Sequence, residues 1–310
     1  MAEHAMYFTD ERAQRMFKIR KGVMNFFVYL FLSIFALFML APFVIMVVGS
    51  FINADAFENF SLTANFENLG FANWTIDNYS FILLNRQFSN FPVYFLNTLI
   101  VAVGGTTVTV VTAVLAAFAF ARLQFKGKDA LFALLLATMM IPGEMMVITN
   151  YQTVRSLYWT NTFAALILVH GVSVFYIFYL RQTFQQIPNE LYLAAKVDGV
   201  GDLGYLVRVM VPIAMPTITT IIILSMMGSW NSYIWPNLVA SGGWKYYPAH
   251  SMKLVSNGLR DLFAAGSQTK PIQDAYKIAG SMVISIPLLI VFILFRKYIM
   301  RGVSRSGIKG

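Results

Sequence analysis

The 310-residue chain is 58% apolar and only 12% charged, with 23 basic and 14 acidic residues, a net charge of +9 and no cysteine. Ordinary soluble proteins are roughly 45–50% apolar and about 25% charged, so the surplus of apolar side chains has to face lipid, and a soluble enzyme, a disulfide scaffold and a disordered chain are excluded. The missing thiols also remove thiolate metal sites and cysteine nucleophiles. In a membrane chain the positive balance bears on topology, not on nucleic acid.

A helix needs about 20 apolar residues to cross a bilayer. Stretches free of Asp, Glu, Lys and Arg cover 22–54, 87–121, 156–180, 209–244 and 278–295, and 130–154 is interrupted only by Glu144. In chain order this predicts an N-terminal segment over 1–23, then a six-span domain over 24–310 with spans at 24–51, 94–120, 130–148, 162–180, 212–238 and 277–297. The first apolar run is far longer than the ~7–15 residues of a signal-peptide core. Outer-membrane barrel strands are ~10 residues and alternate in polarity, which these runs do not. The expected fold class is therefore an all-α integral membrane protein, with no internal tandem repeat.

Basic residues orient such a chain, because they concentrate on the cytoplasmic side. Arg12 to Lys21 precede the first span, Arg122, Lys126 and Lys128 follow the second, Arg181, Lys196 and Arg208 follow the fourth, and Arg296 to Lys309 follow the sixth. These are 16 of the 23 Lys and Arg residues, so both termini are expected in the cytoplasm. All five tryptophans, Trp74, Trp159, Trp230, Trp235 and Trp244, then fall toward the outer interface, where amphipathic rings are favoured. The first outer loop, about 52–93, reads as polar and partly helical, with Asp55, Glu58, Glu67 and Asp77; the second is short, and the third, about 239–276, is long and mixed.

The connection 181–211 stands apart from the short inner loops. Pro188 suits a first helical turn, with Leu191, Ala194 and Ala195 expected on one face of a helix over 188–197. Asp198-Gly199 ends it, since glycine takes the left-handed helix-terminating conformation at little cost. Asp198 is expected to cap the next helix, whose Leu203, Leu206, Val207 and Met210 recur at helical spacing before Pro212 and Pro216. Such an elbow suits docking of a cytoplasmic partner, or is an ordinary interfacial loop.

This segment resembles the signature loop of binding-protein-dependent ABC importer permeases, a Glu-Ala-Ala followed by a glycine and an Ile-x-Leu-Pro ending. Here Ala194-Ala195-Lys196-Val197-Asp198-Gly199 leads to Val209-Met210-Val211-Pro212, with Pro188, Glu190 and Leu191 ahead and Pro216 behind. Asn97-Thr98, Ala119-Phe120-Ala121-Arg122, Met140-Ile141-Pro142 with Tyr151, Trp230-Asn231 with Trp235-Pro236, and Gly302 with the Gly307 to Gly310 tail extend the likeness over roughly 90–310. They resemble the maltose-permease type of the carbohydrate-uptake branch. The resemblance implies a type I (MetI-like) permease fold that forms half of a sugar pathway. It implies as partners a second homologous permease, two ATP-binding subunits holding ATP and Mg, and an external solute-binding protein, with no cofactor on this chain. An importer of a non-sugar solute shares the same pattern. One departure is Leu193, where the signature has glutamate. No G-x-x-x-x-G-K-[ST] phosphate loop occurs, so the chain has no backbone cradle for ATP.

Within the spans, Glu144 is either a path residue or an interfacial carboxylate, because an ionised group deep in lipid costs ~2.5–3.5 kcal/mol even on a lenient scale. His170 reads as a helix–helix contact or part of a relay. Trp230, Tyr233 and Asn237 share one helical face and Asn231 and Trp235 another. They line a sugar path or form an aromatic belt. Gly104, Gly105 and Gly280 suit close helix approach. In the third outer loop the resemblance implies binding-protein contact at Trp244, Lys245, Tyr246, Tyr247, His250 and Lys253. The short basic tail is expected either to sit at the ATPase dimer or to be a solvated positive-inside tail. A secondary transporter would need broken helices or an inverted repeat, and a membrane enzyme a paired acid or histidine constellation. The sequence displays none of these.

Overall fold

The computed structural model describes residues 11–58, 70–84, 90–258, 260 and 274–304. Glu67 and the tail residues Gly307 to Gly310 lie outside them. Four helices among the described residues are long and apolar enough to cross a bilayer, and a fifth crossing is possible if one bent pair is counted as a span.

Helix α1 (Glu11–Phe51) runs 41 residues, about 60 Å at 1.5 Å per residue, so its basic first turns are continuous with the apolar run. Its apolar window is wholly unburied, and it packs on the last helix. The following loop folds back over its end. In it α2 (Ala54–Glu58) and α3 (Asp77–Leu84) flank a 3₁₀ turn, Asn78 Nδ2 donates to the carbonyls of Ser50 (3.0 Å) and Ile52 (2.7 Å), and Trp74 stacks on Phe51.

Helix α4 (Phe91–Arg122) is the central post. Its fully buried Ala113 and Ala117 and near-buried Ala102 let neighbouring helices approach closely, and both α8 and α11 pack against it.

The third apolar stretch is not one helix, contrary to the expected span 130–148. It forms α5 (Lys128–Thr138) and α6 (Gly143–Ser156), bent by 95°. Pro142, with φ −58° and ψ 131°, lies at the N-terminus of α6, and a proline forces its predecessor out of the helical region. The fourth stretch, 162–180, also divides, into α7 (Phe163–Ile167) and α8 (Val174–Gln185). Thr162 and Ser173 cap the two pieces by accepting from the amides of Ala165 and Tyr176, as N-cap hydroxyls do. Gly171 in the gap lies so close to α4 that an added Cβ would sit 2.6 Å from Val108 Cγ1.

The connection then carries α9 (Asn189–Val197) and α10 (Asp202–Tyr205). A π-turn over Leu206–Met210 joins α10 to α11 (Val211–Asn231). It falls just before Pro212, which has no N–H to continue an α register. The fifth stretch ends as a helix at Asn231, and α12 (Ile234–Val239) follows a break at Ser232 and Tyr233. The ring of Pro236 would clash with the Ser232 carbonyl, four residues back, in an unbroken helix. The span 212–238 is thus interrupted.

A short ribbon, β1 (Gly243–Trp244) and β2 (Tyr247–Ser251), pairs Gly243 with Ser251 and Trp244 with Tyr247; an all-α reading missed it. Helix α13 (Asp274–Ser304) completes the bundle. Asn97 Nδ2 binds the carbonyls of Ser251 and Lys253, whereas Arg122 binds that of Phe184. Those residues are 25 apart on α4, roughly 38 Å by helical rise, so ribbon and elbow lie at opposite ends.

Candidate functional site

The elbow is built as a glycine-terminated helix. Pro188 (φ −55°, ψ 137°) precedes α9, and Glu190 sits in its first turn, where a carboxylate complements the helix dipole. Gly199 has φ +76°. Its N–H donates to the Lys196 carbonyl (3.1 Å) and that of Val200 to Ala195 (2.8 Å), the paired bonds of a Schellman ending. An added Cβ at Gly199 meets nothing within 4 Å, so the conformation alone demands glycine there.

The inward face of α9 differs from the expected one. Tyr192 and Ala195 pack against the cluster of Phe184, Tyr205 and Leu206, while Leu191 and Ala194 are exposed. Leu193 and Val197 are 57% and 88% exposed, and Leu203 and Val207 of the following turn 66% and 64%. Of the four residues at helical spacing, Leu206 and Met210 are buried, and Leu203 and Val207 are exposed. Asp198 closes α9 at its C-terminus, and Gly201 precedes α10 with no side-chain cap, so the expected capping role of Asp198 is absent.

The acid that organises the elbow is Asp202. Tyr192 Oη donates to its Oδ1 at 2.7 Å, and Lys196 Nζ lies 2.7 Å from the same oxygen. Burial first, then the bond to Asp202, pushes the Tyr192 phenol up. The Lys196 ammonium is held above its ordinary range chiefly by its hydrogen bond to Asp202. Such an exposed pair adds little stability, but it ties α9 to α10 across the glycine turn. Sequence spacing hid this triad, since residues 192 and 202 are brought together only by that reversal.

Two arginines fasten the elbow to the bundle. Arg122, ending α4, donates through Nη2 to the carbonyls of Phe184 (3.0 Å) and Ile187, and through Nη1 to Asn189 Oδ1 (3.4 Å). Arg181 on α8 donates through Nε to Phe120 O (3.1 Å), and its guanidinium lies 3.9 Å from the centre of the Phe132 ring. Each arginine adds a donor to carbonyls at or just past the end of the other's helix, where intrahelical partners run out.

At the ribbon end Trp244 is half-buried, with Phe163 edge-on at 5.7 Å and Tyr247 at 5.1 Å. Lys245 is anchored, its amide to Asn161 O (3.0 Å) and its Nζ to Tyr158 O (2.7 Å). Tyr246, Tyr247 and His250 are exposed. The carbonyl of Lys253 accepts from Asn97, so that part of the loop is pinned to α4.

Of the expected path residues, Glu144 is exposed in the first turn of α6. Trp230 is buried, with Nε1 donating to Ile284 O (3.2 Å) and Phe95 edge-on at 5.3 Å. Trp235 is buried, with Nε1 donating to Ala165 O (2.9 Å). Asn231 and Tyr233 are exposed, and Asn237 Oδ1 accepts from Arg260. The break after Asn231 dissolves both expected faces, since it parts Trp230 from Tyr233 and Asn237 and Asn231 from Trp235. Gly104 does permit close approach, since an added Cβ would meet Ile167 Cδ1 at 2.9 Å.

What the structure assembles instead is a cavity of about 210 Å³ where the α7–α8 and α11–α12 breaks meet α4. Its polar wall includes Thr109, His170, Ser173, Tyr176, Ser225 and Ser229, with Ser232 at the second break. His170 sits in the gap between α7 and α8, and its ring packs edge-on against Trp235 of α12 at 5.3 Å without a side-chain hydrogen bond among the described residues. The recurrence of Ser225, Ser229 and Ser232 at helical spacing in an otherwise apolar run was the available signal.

Comparison with known proteins supplies the setting. The chain is 29% identical over 238 residues to the arabinooligosaccharides transport system permease protein AraQ of Bacillus subtilis, covering 76% of this chain and 79% of that one. It is 28% identical to the polygalacturonan/rhamnogalacturonan transport system permease protein YtcP of the same organism, over 94% of this chain and all of that one. The inner membrane ABC transporter permease protein YcjP of Escherichia coli is 29% identical over 91% of this chain and 95% of its own. The same fold occurs in the crystal structure of a bacterial ABC transporter involved in the import of the acidic polysaccharide alginate, with a TM-score of 0.72, 22% identity, and 93% and 98% of the two chains covered. Residues 109–306, from the middle of α4 through α13 and including the whole elbow, match the model of the binding-protein-dependent transport system inner membrane component family, and the chain belongs to that family.

Proposed function

We propose that this chain is one of two homologous permease subunits of an ATP-driven importer and forms half of the pathway for a carbohydrate delivered by an external solute-binding protein. The observation that carries the reading is the elbow. It is a glycine-fixed turn that projects Leu193, Val197, Leu203 and Val207 into solvent at one end of the bundle. Exposed apolar side chains on a rigid element mark an interaction surface, and on this reading the ATPase partners dock here. ATP and Mg belong to two partner ATPases, and this chain binds neither. Both termini lie in the cytoplasm and the chain crosses six times, the third crossing being the bent α5–α6 pair and the fourth α7 with α8. The ribbon, with Tyr246, Tyr247 and His250 outward, meets the binding protein, and the tail reaches the ATPase dimer. The carbohydrate cargo rests on relatives named for arabino-oligosaccharides and for polygalacturonan or rhamnogalacturonan.

Transport follows from differential contact. ATP-driven closure of the partners moves the elbow only if the docked face is held more tightly in one ATPase state than in the other. The Arg122 and Arg181 bonds then pass that displacement to α4 and α8, whose gap borders the cavity. A secondary carrier could use the broken helices seen here, but the cavity has no Asp, Glu, Lys or Arg in its wall to bind a coupling ion. Purification in mild detergent tests the proposal. Co-isolation of an ATPase whose hydrolysis rises with binding protein and sugar supports it; sugar uptake by the isolated chain in liposomes without ATP refutes it.

A further inference from the structure

We infer that the cavity between the two broken helices is a subsite for one uncharged, hydroxyl-bearing ring of the cargo, and that it disfavours uronates; this deepens the carbohydrate reading and rests on it. Non-helical backbone at membrane depth persists only where protein buries it or where it lines a water-filled cavity. Two such breaks, at 168–173 and at Ser232–Tyr233, converge on this one space. Side chains of α4 reach the backbone of the first break. Thr112 Oγ1 donates to Gly171 O (2.8 Å), and Thr109 Oγ1 lies 3.4 Å from His170 O. Facing the gap, α11 presents Ser225 and Ser229. Among the described residues the His170 ring nitrogens have no hydrogen-bond partner, although the ring is held edge-on by Trp235.

The chemistry of the occupant follows from that wall. Hydroxyls both donate and accept, and an imidazole offers two ring nitrogens, which matches a ligand whose own groups are hydroxyls. The cavity, at about 210 Å³, is smaller than the roughly 300–1,000 Å³ of drug-sized sites, so it suits one ring of an oligosaccharide and not the whole chain. No Lys or Arg lines it, and a carboxylate moved there would lose hydration without gaining a counter-charge. The relatives carry names spanning neutral and acidic polysaccharides. On this feature the chain sorts with the neutral group.

The absence of native cysteine provides a direct test. Ser229→Cys is made in the full chain and labelled in membrane vesicles with two methanethiosulfonates, one neutral and bearing a glucosyl group, the other bearing a sulfonate. In each case the thiolate sulfur forms the disulfide and methanesulfinate leaves. With rates normalised to free cysteine, the glucosyl reagent is expected to react at least ~10-fold faster than the sulfonate, as an anion that sheds part of its hydration without a counter-charge should be rejected. Leu115→Cys, on an exposed apolar position of α4, should react with neither. Ser225→Cys on the same wall gives the second reading if the first variant fails to insert. Equal rates for the two reagents mean an unselective water-filled space, and no reaction means a dry packing gap; either overturns the subsite. Failure of the carbohydrate-importer reading appears separately, as loss of ATPase co-isolation or of ATP-driven uptake with labelling unchanged.

Discussion

Gly199→Val isolates the backbone contribution to coupling. Gly199 holds φ +76°, and a Cβ built there meets no atom within 4 Å. Packing inside the chain therefore adds nothing, and the penalty is the left-handed conformation itself, ~1–2 kcal/mol for a side chain with a Cβ. That is a factor of about 5–30 in the population of the correctly turned elbow, with a β-branched valine at the upper end. The Lys196–Asp202 and Tyr192–Asp202 contacts, which close only after the reversal, would loosen with it. The assay is ATP hydrolysis in proteoliposomes holding the whole complex, with and without binding protein and sugar. Stimulation should fall in the order Gly, Asn, Ala, Val, because asparagine tolerates the left-handed region. Insertion of the spans should be unchanged. Full stimulation in Gly199→Val would refute the elbow as the coupling element. Equal loss in Gly199→Asn and Gly199→Val would show that bulk against a partner, and not φ, sets the requirement.

Arg122→Ala removes the donors to the Phe184 and Ile187 carbonyls and to Asn189; at ~1.5–3 kcal/mol for hydrogen bonds to a charged group, the elbow should become sensitive to limited proteolysis, and Arg122→Lys should restore only part of the protection. Gly258→Ala would place a Cβ 2.2 Å from Tyr94 Cδ2, and overpacking of ~1–3 kcal/mol should lower the thermal midpoint in detergent while ATPase co-isolation persists at low temperature. Folding raises the Lys196 and Tyr192 pKa values, so their contribution is complete below the ordinary lysine and tyrosine ranges and is lost as pH rises through the raised values. The bonds to Lys196 and Tyr192 hold the Asp202 carboxyl below its ordinary range, so its share is lost only in strong acid. Elbow protection should thus stay flat from about pH 6 to pH 9 and fail above about pH 10, and a drop between pH 6 and neutrality would contradict this assignment.

Local physics made much of this protein legible in its residues. Membrane residence, the placement of the apolar stretches and the elbow with its glycine turn all follow from composition, run length and the conformational freedom of Gly199. Tertiary structure alone decided where the apolar stretches break. Hydropathy sums the transfer of side chains and does not register backbone direction. Pro142 and Pro236 are tolerated mid-stretch only because other elements receive the interrupted chain, and the gap at Gly171 is held by Thr112 from α4. The same distinction explains the exchange of Asp198 for Asp202: both acids border the turn in sequence, but only the reversal at φ +76° carries Tyr192 and Lys196 onto the second of them. The cavity belongs wholly to the tertiary level, since its hydroxyls come from α4, α8 and α11 and share no local pattern beyond the serines of α11. Their meeting depends on two helices stopping at the same depth, and that is set by contacts across the bundle.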